Sequence, residues 1–70
     1  MQKKTFELKD EYIELIKLLK VTGLCDTGGM AKAMVADGEV RVDGRIELRK
    51  RKKIRAGQQV EFVDIVICIT

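Results

Sequence analysis

The hydrophobic period of this 70-residue chain changes once, near residue 39, from the spacing of helices to the alternation of strands. Before that point, apolar residues recur every three or four positions, first over Tyr12–Leu19 and then over Met30–Val35. After it, apolar and charged residues alternate, beginning with Glu39–Val42. Helices followed by strands are typical of the α+β class. We therefore predict a single domain over residues 1–70, with two antiparallel helices packed on a small antiparallel β-sheet.

Local signals predict where both helices begin and end. Asp10 is expected to cap the first helix, and Gly23 to end it. Either Asp26 or Thr27 is a suitable N-cap for the second helix, which Gly38 should stop.

Two glycines, Gly28 and Gly29, fall in the first turn of the predicted second helix. Glycine costs up to about 1 kcal/mol inside a helix, so the pair requires a reason. One interpretation is a close approach between the two helices. The other is a set of exposed N–H groups at a helix N-terminus, which can bind an anion. The sequence leaves both interpretations open.

Strands are also expected near both ends of the chain. The stretch "TFEL" alternates Phe6 and Leu8, and "VEFVDIVICIT" provides one or two strands after a turn at "AGQQ". The aromatic residues all lie within apolar patterns, which predicts that they belong to the core: Phe6, Tyr12 and Phe62.

A β-hairpin is predicted around Asp43 and Gly44. A two-residue loop would set Val42 opposite Arg45, an apolar side chain against a charged one. A loop with an odd number of residues would instead pair Val42 with Ile46, and Val40 with Leu48. We therefore predict a three-residue or bulged turn that leaves the charged side chains in solvent: Arg41, Arg45 and Glu47.

Positive charge is concentrated in residues 41–55. The net charge of the chain is +3, but this segment holds eight basic and two acidic residues (8 − 2 = +6), so the remainder carries 3 − 6 = −3. A patch of one sign on a mildly acidic body is typical of a protein that binds a polyanion, although a solvated loop can have the same composition. The basic residues are Arg41, Arg45, Arg49, Lys50, Arg51, Lys52, Lys53 and Arg55.

The residue types present disfavour catalysis. The chain has no His, Ser or Trp, so Cys25 has no histidine to act as its base. The spacing of Cys25 and Cys68 is not that of a metal site, and we expect both thiols to be reduced, unpaired and buried. We therefore predict a non-enzymatic protein without a cofactor or metal.

No secretion signal or membrane helix is expected. The first ten residues lack an apolar run, and the longest apolar stretch, Ile65–Ile69, is far shorter than the ~20 residues of a membrane helix. A cytoplasmic monomer is the resulting expectation. A membrane surface is a weak candidate partner because the basic residues do not lie on an amphipathic helix. The main alternative to a polyanionic ligand such as a nucleic acid is a protein-interaction role, in which the basic loop docks onto an acidic protein.

Three motifs occur in order within "TGGMAKAMVADGEVRVDGRIELRKRKKIRAGQQVEF": "TGGMAK" at 27–32, "GEVRVDG" at 38–44 and "ELRKRKK" at 47–53. Together they resemble the small stand-alone branch of the αL-type RNA-binding domain first defined in ribosomal small-subunit protein four. Three positions depart from the pattern of that family. Thr27 stands for the usual Ser, Gly28 stands where the larger family often has Arg, and Gln58 stands for the usual Asp after Gly57.

The resemblance implies an αL-motif fold and the binding of structured RNA between the second helix and the hairpin loop. Ribosomal or transfer RNA would be the partner, with ribosomal particles as a further candidate. Base stacking is disfavoured because no aromatic residue lies in the basic run. The expected phosphate contacts are Lys32, Arg45, Arg49, Lys50, Lys52 and Lys53, followed by Arg41 and Arg51. The residues expected to shape the site are Thr27, Gly28 and Gly29 at the helix start, and Asp43 and Gly44 in the hairpin.

Overall fold

Two helices pack against a mostly antiparallel sheet in the computed structural model, which describes residues 2–70. The predicted α+β class is therefore confirmed. The helices are α1 (Leu15–Val21) and α2 (Gly28–Ala36). The strands are β1 (Gln2–Phe6), β2 (Ile13–Glu14), β3 (Val40–Val42), β4 (Arg45–Ile46), β5 (Lys53–Ile54), β6 (Gln59–Phe62) and β7 (Ile65–Ile69).

The strands form two sheets. Five strands lie in the order β1-β7-β6-β3-β4, and β2 pairs separately with β5. Every pair is antiparallel except β1 and β7, which run parallel with Lys4 opposite Ile67. The sequence predicted an antiparallel sheet, and this parallel pair is the difference. β1 forms one edge of the five-stranded sheet, where its only neighbour is β7, and these two strands run in the same direction.

The core lies between the helices and the five-stranded sheet. Ala31 is fully buried, so its small side chain allows α2 to lie close to α1, whereas Ala33 is exposed. Within residues 2–70, neither helix is long and apolar enough to cross a membrane. The fully buried residues include Leu15, Leu18 and Leu19 from α1, Val35 from α2, and Val40, Ile54, Val60 and Ile67 from the strands.

The start of α1 differs from the prediction. Asp10 does not cap this helix, which begins at Leu15 after an extended Glu14 that makes no side-chain cap. The backbone N–H of Leu15 donates to the Lys52 carbonyl oxygen at 2.9 Å, and that of Ile16 to the Lys50 carbonyl oxygen at 3.2 Å. Carbonyls that are distant in sequence therefore satisfy the first N–H groups of the helix, which a local side-chain cap would otherwise satisfy.

The start of α2 follows the prediction. The Thr27 side chain accepts a hydrogen bond from the Met30 backbone N–H at 3.0 Å, and Gly38, at φ +78°, follows the end of the helix. A Cβ added to Gly28 would lie 3.9 Å from its nearest neighbour, and one added to Gly29 would lie 3.8 Å away. These are ordinary van der Waals distances. A close approach between helices is therefore not the reason for the two glycines.

The predicted register of the β3–β4 hairpin is wrong. Val42 pairs with Arg45, so the loop has two residues, Asp43 at φ +51° and Gly44 at φ +86°. Positive φ at both positions is the type I′ turn, whose twist matches that of the flanking strands. The geometry of the turn thus prevails over apolar pairing, and Ile46 and Leu48 remain exposed because β4 is a short edge strand.

Val63 holds an unfavourable backbone conformation in the turn between β6 and β7. Its φ is +56°, in the left-handed region that β-branched residues rarely adopt. Its side chain is exposed, so no burial of apolar surface offsets the cost of this conformation. We expect Val63→Asn to stabilise the protein by about 1 kcal/mol, because Asn adopts this region more readily. Thermal unfolding should then show a Tm about 4–8 °C higher. Val63→Thr, which keeps the β-branch, should give no gain, and an equal gain in both variants would contradict the strain argument.

The two thiols and the three aromatic rings only partly follow the prediction. Both cysteines are unpaired, and Cys25 is buried, but Cys68 is half-buried because alternate side chains of β7 face away from the core. Burial, together with the charge of Asp26, raises the pKa of the Cys25 thiol.

Of the aromatic residues predicted in the core, Phe62 is buried, Phe6 is half-buried and Tyr12 is 37% exposed. Tyr12 lies outside the core because it precedes β2 and is not part of α1.

Candidate functional site

Residues 45–55, here called the basic segment, are held at both ends by β-strands. The segment leaves β4, turns where the Lys52 N–H donates to the Arg49 carbonyl oxygen at 3.3 Å, and then enters β5. β5 pairs with β2, and Ile54 of β5 is fully buried. The two hydrogen bonds that Lys50 and Lys52 accept from the start of α1 hold the same turn. The backbone of the basic segment is therefore positioned by β2 and α1.

Basic side chains line three adjoining depressions of the surface. Arg49 and Lys52 line both the first and the second, and Arg51 lines both the second and the third, so the depressions adjoin one another. The basic residues are Arg45, Arg49 and Lys52 in the first, Arg49, Arg51, Lys52 and Lys53 in the second, and Lys32, Lys50 and Arg51 in the third. Lys32 of α2 thus lies on the same side of the molecule as the basic segment.

Arg41 lies in a different place from the other basic residues. It lines a separate depression together with Glu39, Glu61 and Val63. Arg41 is exposed on β3, where it pairs with Ile46 on one side and with Glu61 on the other. Two acidic residues therefore surround this arginine.

Three arginines of the basic segment already pair with carboxylates. Arg49 binds Glu47 through two side-chain hydrogen bonds of 3.0 Å, and its backbone N–H donates to the same carboxylate at 3.1 Å. The side-chain hydrogen bonds from Arg49 are the main cause that lowers the pKa of Glu47, and in return they raise the pKa of Arg49. The remaining pairs are Arg51–Glu14 at 3.2 Å and Arg55–Glu11 at 3.5 Å.

The other basic side chains of the three depressions are not used in this way. In the part of the chain from 2 to 70, none of them forms a salt bridge: Lys32, Arg45, Lys50, Lys52 and Lys53. The Lys53 ammonium lies 4.9 Å from the centre of the Tyr12 ring. Five positive charges without carboxylate partners thus lie on adjoining surface, and all but that of the half-buried Lys52 belong to exposed residues.

The Glu47–Arg49 pair predicts a pH dependence of stability. The pKa of Glu47 is lower in the folded protein than in the unfolded chain, so the unfolded chain binds more protons in acid. This contribution is fully present above the unfolded pKa, about 4.3, and is lost as the pH falls through the folded value. We expect urea unfolding between about pH 6 and about pH 3 to show a smaller loss of stability in Glu47→Gln than in the parent. Parallel curves for the two proteins would contradict this prediction.

The carboxylate of Asp43 joins the hairpin turn to the turn that follows β5. It accepts hydrogen bonds from the Gln59 backbone N–H at 3.0 Å and from the Gln58 side-chain amide at 3.1 Å. The Gln58 carbonyl oxygen in turn accepts from the Arg55 backbone N–H at 2.8 Å. Gln58, which stands where an Asp was expected, therefore connects the two turns that flank the basic segment.

The N-terminus of α2 lies near Lys20 and Lys32. A Cβ at Gly28 would meet the Lys20 Cδ at 3.9 Å, and the backbone N–H groups of Gly28 and Gly29 donate no hydrogen bond within residues 2–70. These N–H groups therefore remain able to bind an anion.

Two contributors to the site were missed by the sequence interpretation. Tyr12 contacts Lys53 and Arg55, and Glu14 holds Arg51, although both were assigned to the first helix. The pairing of β2 with β5, which no local signal indicates, brings them to the basic segment. Within residues 2–70 there is no cluster of three or more His, Cys, Asp or Glu side chains that could hold a metal ion.

Comparison with known proteins places the chain among relatives of its own length. The family model described as S4 domain matches residues 6–70. A protein of Escherichia coli (strain K12) named "Putative RNA-binding protein YbcJ" is 51% identical over 59 residues, which cover 83% of this chain and 84% of the relative. The Shigella flexneri protein "Uncharacterized protein YbcJ" matches to the same extent. The solution structure of Escherichia coli YbcJ, described as revealing an αL motif involved in RNA-binding, aligns with a TM-score of 0.73 at 45% identity, over 94% of this chain and 85% of the other.

Proposed function

The chain belongs to the S4 domain family, as its three sequence motifs predicted, and from this premise we propose that it binds structured RNA and is not an enzyme. The observation that carries the proposal is the shared location of Lys32 and the basic segment. Lys32 and Lys50 line one depression with Arg51, which continues into the depressions of the segment. The match covers 84% of the Escherichia coli relative and 85% of the chain in its solution structure.

The chemistry of the surface fits a folded RNA. Structured RNA is recognised mainly through its shape, its phosphates and its 2′-hydroxyl groups, and this requires basic side chains and backbone donors. The surface offers both, the basic side chains on the segment and the N–H groups of Gly28 and Gly29 at the start of α2. Arginine binds phosphate through two parallel hydrogen bonds, whereas lysine acts as a compact charge. A phosphate that contacts Arg49 or Arg51 has to compete with Glu47 or Glu14.

We assign the phosphate contacts to the residues that line the connected depressions, with Thr27, Asp43 and Gly44 as shaping residues. Arg41 and Arg51 are second-line contacts, and Arg41 lies in a separate depression beside two acidic residues. The first-line contacts are Lys32, Arg45, Arg49, Lys50, Lys52 and Lys53. We further propose that the protein acts as a cytoplasmic monomer and that its partner is ribosomal or transfer RNA, free or within ribosomal particles.

A titration with three ligands tests the proposed function. The purified protein is added to a labelled RNA hairpin, to an unstructured RNA of the same length and to a polyglutamate of the same charge, and anisotropy is measured. Preference for the hairpin supports the proposal. Preference for polyglutamate would instead support the docking of an acidic protein, for which the three arginine–carboxylate pairs are a precedent within the fold. Tight binding of neither RNA would refute the proposed function.

A further inference from the structure

Tyr12 presents an aromatic ring beside the basic segment. The Lys53 Nζ lies 4.9 Å from the centre of the ring, and the Arg55 Cζ lies 5.7 Å from it. The residue is 37% exposed, so the ring is neither part of the core nor freely projecting into solvent. Both cations lie over this exposed ring. The cluster therefore combines the two groups on which nucleobases stack in protein–RNA complexes, an aromatic ring and a guanidinium plane.

The position of the ring is fixed by the pairing of β2 and β5. Ile13 lies opposite Ile54 in this antiparallel pair. Tyr12, which precedes Ile13, and Arg55, which follows Ile54, therefore lie at the same end of the strand pair. Glu11 holds the Arg55 guanidinium at 3.5 Å, and this exposed pair is weak. The tyrosine thus directly precedes a strand pair that is anchored by the buried Ile13 and Ile54.

The ring borders an open groove with a volume of about 730 Å³. Phe6, Leu8 and Val21 contribute apolar surface to this groove, and Glu14 lines both the groove and the depression that contains Lys32 and Lys50. The groove therefore adjoins the surface assigned to phosphates. Its lining carries the carboxylates of Glu7, Asp10, Glu11 and Glu14 and the ammonium groups of Lys9 and Lys17, so its net charge is 2 − 4 = −2. A net negative groove disfavours a phosphate more than an uncharged base.

We propose that Tyr12, with Lys53 and Arg55, forms a binding site for one unpaired nucleobase at the edge of the phosphate-binding surface. This inference rests on the proposed function. It adds that the protein recognises an unpaired base next to a duplex as well as the phosphates of the duplex itself. A base that leaves the duplex near Lys53 stacks on the Tyr12 ring and the Arg55 guanidinium, while the duplex phosphates remain on the basic segment. The net negative charge of the groove favours the uncharged base over the phosphate backbone at this position.

Intrinsic fluorescence measures the contact directly, because Tyr12 is the single tyrosine of a chain without tryptophan. Two RNA duplexes of equal length are compared, one blunt and one with a single unpaired adenine at the 3′ end. We expect the overhang duplex to quench the tyrosine emission at saturation and the blunt duplex to change it much less, after correction for RNA absorption with free N-acetyltyrosinamide.

Affinity provides the second readout. We expect the parent protein to bind the overhang duplex about 5- to 100-fold more tightly than the blunt duplex, the usual gain from one stacked base. Tyr12→Phe keeps the ring and should keep this ratio, whereas Tyr12→Leu should reduce it to about 1. Lys52→Ala, as the matched control, should weaken both duplexes alike and leave the ratio intact.

The outcomes separate the two claims. Equal affinity of the parent for the two duplexes, or a ratio that Tyr12→Leu retains, would overturn the nucleobase site and leave RNA binding in place. A loss of blunt-duplex binding in Tyr12→Leu, with an unchanged circular dichroism spectrum, would show that the ring only positions Lys53 and Arg55, and it would also overturn the site. Binding of neither duplex by the parent would remove both claims.

Discussion

Raising the salt concentration from about 50 to about 200 mM should weaken the binding of a blunt RNA duplex by about 10²- to 10³-fold. Each phosphate contact releases counterions and adds roughly −0.7 to −0.9 to the slope of log affinity against log salt concentration. The six first-line basic residues therefore predict a slope of about −4 to −5. An anisotropy titration at several salt concentrations gives this slope, and a slope near zero would exclude the surface as a phosphate-binding site.

A double substitution assigns the slope to particular residues. Lys32→Ala combined with Lys52→Ala should make the slope shallower by just under about 2 units and should weaken binding to unrelated duplexes similarly. Lys3→Ala combined with Lys9→Ala removes the same charge from exposed positions outside the three depressions and should change the slope little. The same change in both double variants would mean that net charge alone, and not this surface, determines binding. Circular dichroism confirms that each variant is folded.

Reversal of one charge should have a larger effect than its removal. Lys32→Glu places a carboxylate one turn from the N–H groups of Gly28 and Gly29, where it repels an approaching phosphate as well as removing a contact. The variant should therefore bind duplex RNA more weakly than Lys32→Ala at every salt concentration. Equal affinities of the two variants would place Lys32 outside the interface.

The parts of the fold that depend on neighbouring residues could be predicted from the sequence. The cap of α2 by Thr27, the stop at Gly38 and the alternation of β3 are local signals, since each involves residues within a few positions. The change of period near residue 39 was sufficient for the α+β class.

Two of the features that were predicted wrongly involve contacts between distant residues. The N-terminus of α1 is satisfied by carbonyls at Lys50 and Lys52, so Asp10 is not needed as a cap. The hairpin register was inferred from apolar pairing within the hairpin, but Asp43 is held by Gln58 and Gln59, which lie 15 and 16 positions away. A single sequence contains the residues of such contacts but does not indicate which of them meet.

The candidate site shows the same division. The local concentration of charge identifies residues 41–55 as the basic region, and the motif at the start of α2 adds Lys32. The composition does not reveal that Arg49 and Arg51 pair with carboxylates, that Arg41 lies apart, or that Tyr12 reaches Lys53. Each of these depends on how β2, β3 and β5 are arranged in space.

The largest effect on stability is expected from Leu18→Ala. Leu18 is fully buried in α1, and its truncation removes apolar contact and leaves a cavity that the neighbouring side chains fill only partly. The cost should be about 2–5 kcal/mol. A domain of this length has a total stability of only about 4–10 kcal/mol, so the variant should lose a large share of it.

Leu48→Ala is the matched control, because it makes the same change at a leucine that is 58% exposed. Its cost should be below about 0.5 kcal/mol, since little buried surface is lost. Urea unfolding followed by circular dichroism measures both variants, and Leu18→Ala should shift the midpoint to much lower urea concentration or leave the protein unfolded in buffer.

Because α1 binds the carbonyls of Lys50 and Lys52 through its first N–H groups, unfolding of this helix also releases the basic segment. Duplex binding by Leu18→Ala should therefore decline with the folded fraction as urea is added, whereas Leu48→Ala should bind like the parent. Comparable losses of stability in the two leucine variants would contradict the placement of the core.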